Sequence, residues 1–396
     1  LLSTIATARS QLDVNIYEIK SEKITKAIVD RIKDGVAVRM LVEGQPVGGV
    51  SPTERKNLEK IRDAMTAARS RSNKLFIMAA DDKSDRRFVF DHAKYAVVDG
   101  ATVLVSSDNF SPTGHADAGT VGNRGWDISL DDTALAKQMT AMFESDTDTG
   151  AGDVVSVGKG DPFPLQMSSV DSDSAPRART VHAIPAGQGT VDRAQLLVSP
   201  KSDKGLVAFI RSAQDHLEIQ HMSYPSQWRE SNAAEPFTSP LVSELVAAAQ
   251  RGVKVRVLLN DSTAFGGGGL TGDDLTAPKP SSNEATVEFL NKLAKQKKLP
   301  LQAKIIDIRA VQITYIHNKG MLADGTRTLV SSINGTRNSV MNNREVALVV
   351  DGADASEYYG QGFGFDWTAS RRALKAATAP EPSEFFVMPD LTELAL

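Results

Sequence analysis

Histidine is scarce in this chain, and two of its six histidines, His92 and His317, lie in stretches that repeat the same residues at the same intervals. The first stretch reads His92-Ala93-Lys94-Tyr95-Ala96-Val97-Val98-Asp99 and continues to Ser106-Ser107-Asp108-Asn109. The second reads His317-Asn318-Lys319-Gly320-Met321-Leu322-Ala323-Asp324 and continues to Ser331-Ser332-Ile333-Asn334. Both follow H-x-K-x4-D-x6-S-S-x-N. In a strand, residues i and i+2 share a face, so each histidine is expected beside its lysine. That pairing suits an anionic phosphoryl group. The ammonium offers point charge to non-bridging oxygens, and the imidazole offers a nucleophile or a proton. Ser107 and Asn109, like Ser332 and Asn334, alternate so that both members can point into one pocket and donate hydrogen bonds. One copy is half a site. Two copies about a pseudo-twofold axis would supply a neutral imidazole to attack phosphorus and an imidazolium to protonate the leaving oxygen, without metal. Two histidines so placed would titrate as a coupled pair.

These letters resemble the phospholipase D superfamily, whose signature is the paired H-x-K-x4-D motif followed by G-S-x-N. The resemblance covers both copies, and serine stands at Ser106 and Ser331 where the family usually has glycine. It implies a covalent phosphohistidine, formed on His92, that is then attacked by water or an alcohol. It also implies an acid downstream of each motif that orients a histidine. Glu345, 11 residues after Asn334, fits that role, and Asp127, 18 residues after Asn109, is its expected counterpart. Asp99 and Asp324 are motif residues, and each also begins an Asp-Gly turn. A turn-forming or lysine-positioning role is therefore expected of them before direct chemistry. Lys83, Arg86 and Arg87 could attract phosphate or form a solvated turn, and are left outside the site. His115 and His182 are expected at the surface, and His221 in a structural role, though the end of its strand could reach the cleft.

The elements that must carry these residues are themselves duplicated. Ile24–Lys33 and Leu241–Gln250 have helical apolar spacing, stop at Asp34-Gly35 and Arg251-Gly252, and run into the strand-like stretches Val36–Val42 and Val253–Leu259. Apolar runs at Leu12–Tyr17 and Leu217–Gln220 precede them. Strand–helix–strand order implies parallel βαβ units. The expected fold is α/β, with two pseudo-symmetric α/β/α sandwich lobes of the phospholipase D type and mixed, mainly parallel sheets. The lobes are assigned to 1–150 and 193–396, with 151–192 connecting them. The stretch from Thr149 to Asp192 reads as a surface connection with little regular structure. Phe265 to Asp274, with four consecutive glycines, reads as a flexible insertion or, more pointedly, a lid.

Composition narrows the function. Of 396 residues none is cysteine, which excludes disulfides, thiolate catalysis and cysteine-bound zinc. A formal charge of −4 argues against nucleic-acid binding through bulk positive charge, though not against a local basic site. No window is apolar enough to span a membrane. The start, Leu1-Leu2-Ser3-Thr4-Ile5, lacks an initiating methionine and reads as mid-helix, as in a processed or trimmed product. Localisation therefore stays open: soluble, or peripheral at a membrane. The expected activity is that of a phospholipase D-type phosphodiesterase, cleaving or transferring a phosphatidyl group, with no cofactor and no metal. Its partner would be a phospholipid or other phosphodiester, with peripheral membrane contact through apolar residues such as Trp228 and Phe237. A monomer suffices, since both half-sites lie in one chain. The alternatives are a nuclease, disfavoured by charge, and a non-catalytic binder of anionic lipid headgroups.

Overall fold

A computed structural model describes residues 1–68, 70, 72–80, 82–168, 186–230, 235–265 and 282–370. The glycine-rich stretch after Phe265 and His182 lie outside the described residues.

Two seven-stranded mixed sheets organise the chain. The first contains β1 (Gln11–Ile16), β2 (Ala37–Glu43), β3 (Lys74–Met78), β4 (Lys94–Val98), β5 (Thr102–Ser106), β6 (Asp127–Asp131) and β7 (Val154–Val157), in the order β6-β5-β4-β1-β2-β3-β7. The second lobe begins with β8 (Arg193–Ser199) and β9 (His216–His221). A small ribbon of β10 (Gln227–Trp228) and β11 (Phe237–Thr238) follows, and then β12 (Lys254–Leu259), β13 (Leu301–Ile305), β14 (Lys319–Ala323), β15 (Arg327–Ser331) and β16 (Glu345–Asp351). Its sheet runs β13-β12-β9-β14-β15-β16-β8. The predicted βαβ units are present. The helix Glu22–Lys33 is capped by the Ser21 hydroxyl and stops before Gly35, whose φ of 87° suits glycine. The helix Pro240–Gln250 starts on a proline and stops before Gly252, whose φ is 97°.

Two expectations are corrected. Parallel pairing is confined to β1-β2-β3 and β9-β12-β13, and every other pair in the two large sheets is antiparallel. The reason is local: the two motif halves are hairpins closed by tight turns, and a two-residue turn can join only antiparallel strands. The stretch after Thr149 also holds more order than its composition suggested. β7, only four residues long, pairs with β3 and closes that edge of the first sheet.

The motif aspartates explain these turns. Asp99 and Asp324 take left-handed φ values of 52° and 55°, each followed by a glycine with positive φ. The Asp99 carboxylate accepts hydrogen bonds from the amides of Arg9, Ser10 and Gln11 at 2.7–2.9 Å. Asp324 does the same for Gln214, Asp215 and His216 at 2.8–3.0 Å. Each aspartate thus clamps the start of the neighbouring central strand. Burial raises its pKa, but the amide donors outweigh that effect and hold it below the usual carboxylate range. Both lie at the far end of a five-residue strand from the lysine, roughly 17 Å away at about 3.3 Å per residue. This removes them from the reacting centre and gives them the turn-forming role.

The lobes share one core. Trp126, Phe143 and Phe88 of the first lobe lie in one cluster with Val346, Leu348, Phe363 and Trp367 of the second. Gly320 is required here, because a Cβ would overlap the Trp126 ring. Two buried ion pairs also cross between the lobes. Arg124 grips Asp366 through two bonds of 2.8 and 2.9 Å, and Arg344 donates to Asp146 at 2.8 Å.

Asp324→Ala should lower unfolding free energy by roughly 1–2 kcal/mol, since three amides lose their acceptor but water can reach them. Urea unfolding checks this. A loss of turnover without a loss of stability would return Asp324 to the chemistry.

Candidate active site

The strands β4 and β14 begin at the motif lysines, and each histidine sits in the extended lead-in two residues earlier. Backbone bonds fix these lead-ins across the lobe boundary. The His92 amide donates to the Arg344 carbonyl at 2.9 Å, and the His317 amide to the Arg124 carbonyl at 3.0 Å.

Each imidazole meets a carboxylate from the opposite lobe. His92 Nδ1 is hydrogen-bonded to Glu345 Oε2 at 2.8 Å. Glu345 is wholly buried and also accepts from the Ser332 hydroxyl at 2.7 Å and the Asn343 amide at 3.1 Å. His317 Nδ1 lies 3.0 Å from Asp108 Oδ1, close enough for an ion pair but off the line of a straight hydrogen bond. Asp108 in turn accepts from the Asn123 amide at 2.9 Å. Burial acts to raise the pKa of both acids, yet each is held low, chiefly by its histidine.

The charges of two buried lysines reach both imidazoles. Lys94 and Lys319 are fully buried, and each donates to the carbonyl of its own histidine, at 2.6 and 2.5 Å. Burial pushes Lys94 down to about 8, opposed by the charges of nearby acids. Burial, with the charge of Lys94, pushes Lys319 down to about 7. Both histidines are lowered to about 4, first by burial. The lysine charges from both lobes add to this, so all four groups share one electrostatic site. Tyr17 stands edge-on to His92 at 4.6 Å, and Tyr315 edge-on to His317 at 5.6 Å. The arrangement is one buried site in which two lysines and two imidazoles sit with two acids, and each imidazole has Nδ1 directed at a carboxylate. It can take up a phosphoryl anion, whose charge would favour protonation of the groups around it.

Other expected residues fall differently. Asp127 does not orient a histidine of the pair. It heads β6 and lies 3.5 Å from His115 Nδ1, because the ladder pairs it with Ser106, two residues beyond the position that corresponds to Glu345. Ser107 and Ser332 do not line the pocket. Both are buried; Ser107 accepts from the Trp126 amide at 2.8 Å, and Ser332 braces Glu345. Asn109 donates to Glu18 Oε2 at 2.7 Å, while its own Oδ1, like that of Asn334, has no partner. Ser106 and Ser331, in the glycine positions, close tight turns by accepting from the amides two residues on, at 3.0 and 2.7 Å. Arg86 and Arg87 are neither phosphate-facing nor a solvated turn: Arg86 is paired with Glu43 at 2.5 Å and Arg87 with Asp153 at 2.8 Å. His115 is largely covered and packs edge-on against Phe110 at 5.8 Å. His221 is buried, and burial lowers it to about 3. Trp228 is buried with its indole N–H on the Gly335 carbonyl, whereas Phe237 is exposed. Asp108 escaped the sequence reading, although the variable letter of the first S-S-x-N carried the signal.

The fold and the paired half-sites place the chain in a two-lobed class in which one pocket is shared between duplicated units. The chain belongs to the family described as "Cardiolipin synthase, PLD-like domain", whose model matches residues 1–147 and 206–367. Among solved structures it is similar to phosphatidylserine synthase from Haemophilus influenzae Rd KW20, at 14% identity and a TM-score of 0.62, covering 94% of this chain and 86% of that one. It is also similar to Nuc, a phospholipase D family member from Salmonella typhimurium, at 19% identity and a TM-score of 0.32, covering 45% of this chain and 96% of that one. A third is polyphosphate kinase from Porphyromonas gingivalis, at 13% identity and a TM-score of 0.48, covering all of this chain and 51% of that one. No curated protein matches. Among the described residues no helix is long and apolar enough to cross a membrane.

The folded protein holds Lys319 at about 7, against 10.5 for an unperturbed lysine. Between those values the unfolded chain binds the additional proton, so this group makes stability rise with pH across that window. Lys319→Met should be more stable than the parent near neutrality, by a margin that shrinks as pH approaches the upper value. Urea unfolding across the window reads this, and parallel pH profiles would refute it.

Proposed function

We propose that this protein is a phospholipase D-type phosphodiesterase that cleaves or transfers a phosphatidyl group through a covalent phosphohistidine. The observation that carries the reading is the reciprocal arrangement in which each lobe's histidine meets an acid of the other lobe across a pocket holding both lysines. An acid at Nδ1 favours the tautomer with Nε2 unprotonated, and Nε2 is the atom that can attack phosphorus.

His92 is the nucleophile, an assignment taken from the family resemblance. It is neutral at physiological pH, as attack requires. Lys94 and Lys319 offset the charge that builds on the non-bridging oxygens. As the bond from phosphorus to the leaving oxygen breaks, protonated His317 gives that oxygen its proton. In the second half, His317 takes a proton from water or an alcohol, which attacks phosphorus and releases His92. Atoms and charge balance without another reactant. The bound diester anion favours the protonated form of His317, which burial and the lysines otherwise oppose. Asn109 and Asn334, which follow the motif as the resemblance implies, serve in this reading as further contacts to the phosphoryl group. A phospholipid is the favoured substrate, supported by the match to the cardiolipin synthase family and by the phosphatidylserine synthase fold.

His92→Ala and His317→Ala should each lower turnover by roughly a thousandfold or more, since each removes an obligatory step. The assay compares headgroup release from phosphatidylcholine and phosphatidylglycerol vesicles with cleavage of single-stranded DNA and of bis-p-nitrophenyl phosphate. DNA cleavage without headgroup release would move the protein to the nuclease class. Near-normal turnover in either variant would sink the two-histidine mechanism. Activity is also expected to persist in EDTA; loss on chelation, restored by a divalent cation, would overturn the metal-free scheme.

A further inference from the structure

The two half-sites surround their imidazoles with the same scaffold, but one member stands in a different place. Across the ladders, Ser331 faces Ala347 and Ser106 faces Asp127. Glu345 precedes Ala347 by two residues, so its counterpart is Gly125, two residues before Asp127. The backbone agrees. The amide of His92 bonds to Arg344, just before Glu345, and that of His317 bonds to Arg124, just before Gly125. The sequence agrees too: Asn343-Arg344-Glu345 is matched by Asn123-Arg124-Gly125. The first lobe therefore has no side chain where the second has its acid.

Asp108 fills that space. A Cβ on Gly125 would overlap Asp108 Oδ2 and stand 2.6 Å from its Cγ. The counterpart of Asp108 in the second motif is Ile333, an apolar residue buried in the core. The donors that hold the acid are kept in both lobes. Asn343 donates to Glu345 at 3.1 Å, and Asn123 donates to Asp108 at 2.9 Å. Ser332 donates to Glu345 at 2.7 Å, and Ser107 reaches Asp108 at 3.5 Å.

We propose that Asp108 is the positioning residue for His317: the carboxylate stands not at Gly125, two residues before β6, but in the turn after β5, and Gly125 is the vacancy that admits it. The proposal rests on His92 and His317 being the reacting pair. A short aspartate on a turn meets the ring at an angle, so Asp108 acts through charge as much as through direction. The groups facing His317 are Lys319, Lys94, Tyr315 and Asp108. The two lysines oppose the imidazolium, and Asp108 alone of the four favours it.

The test reads the tautomer of His317 by ring-nitrogen NMR of the full chain at neutral pH, alongside kcat and KM on bis-p-nitrophenyl phosphate. Asp108→Ala should convert His317 from the single Nδ1–H tautomer to a mixture and lower kcat by roughly 100-fold or more, with a smaller effect on KM. Asp108→Ile combined with Gly125→Glu, which copies the second lobe, should restore both. Asp127→Asn should change neither. The proposal fails if Asp127→Asn moves the His317 signal and Asp108→Ala does not. It also fails if the double variant folds with His317 still mixed. The Asp108→Ala and Asp127→Asn comparison stands even if the double variant does not fold. The NMR arm needs no turnover: a single tautomer lost only in Asp108→Ala, with no form of the protein active on any phosphodiester, would overturn the enzymatic reading and leave the positioning role in place.

Discussion

Everything about the pocket depends on acids reaching across a lobe boundary. Glu345 and Asp108 are buried and each faces the other lobe's imidazole. Neither lobe alone presents a histidine with its acid. The segments that carry these contacts also lock the lobes together. Arg344, next to Glu345, is paired with Asp146, and Arg124, next to Gly125, is paired with Asp366. Removing one partner of such a buried pair costs about 3–5 kcal/mol. The docking of the lobes and the geometry of the site are therefore one structural problem, solved by the same short segments.

The pocket also holds charge at a cost in desolvation. Two lysines and two histidines lie buried together; burial depresses the basicity of all four, and lysine charge depresses that of His92, His317 and Lys319 further. The net charge of −4 says nothing of this, because it averages over the whole surface. An anion entering the pocket would relieve the repulsion, so binding energy and site electrostatics favour the same ligand.

The duplication is preserved where strands must pair and relaxed elsewhere. Both sheets keep a parallel trio joined to an antiparallel hairpin, but the seventh strand lies beside β3 in the first and beside β16 in the second. Tyr95 occupies the motif position that is Gly320 in the second copy, where Trp126 of the first lobe needs the room. Asn109 is tied to Glu18, whereas Asn334 donates to no acid among the described residues. The Tyr95 and Gly320 difference lies at the boundary, where a side chain of the other lobe sets the room available.

The paired motif was legible in the sequence because catalytic letters at fixed spacing survive without any knowledge of the fold, and so were the βαβ units, because helix stops and β-branched runs are local signals. Glu345 could be read because the resemblance implies an acid shortly after the motif, and Glu345 stands 11 residues beyond Asn334. What the sequence left open depends on contacts between residues far apart. Asp127 and Asp108 are both acids after the first motif, and only the ladder register, with the space at Gly125, decides which one reaches His317. Asp99 and Asp324 could be read as turn residues from their Asp-Gly pairs, but that their carboxylates hold the amides of adjacent strands is seen only in the fold. Local spacing specifies which side chains share a strand face; which of them meet across a duplicated fold is decided by how the two lobes dock.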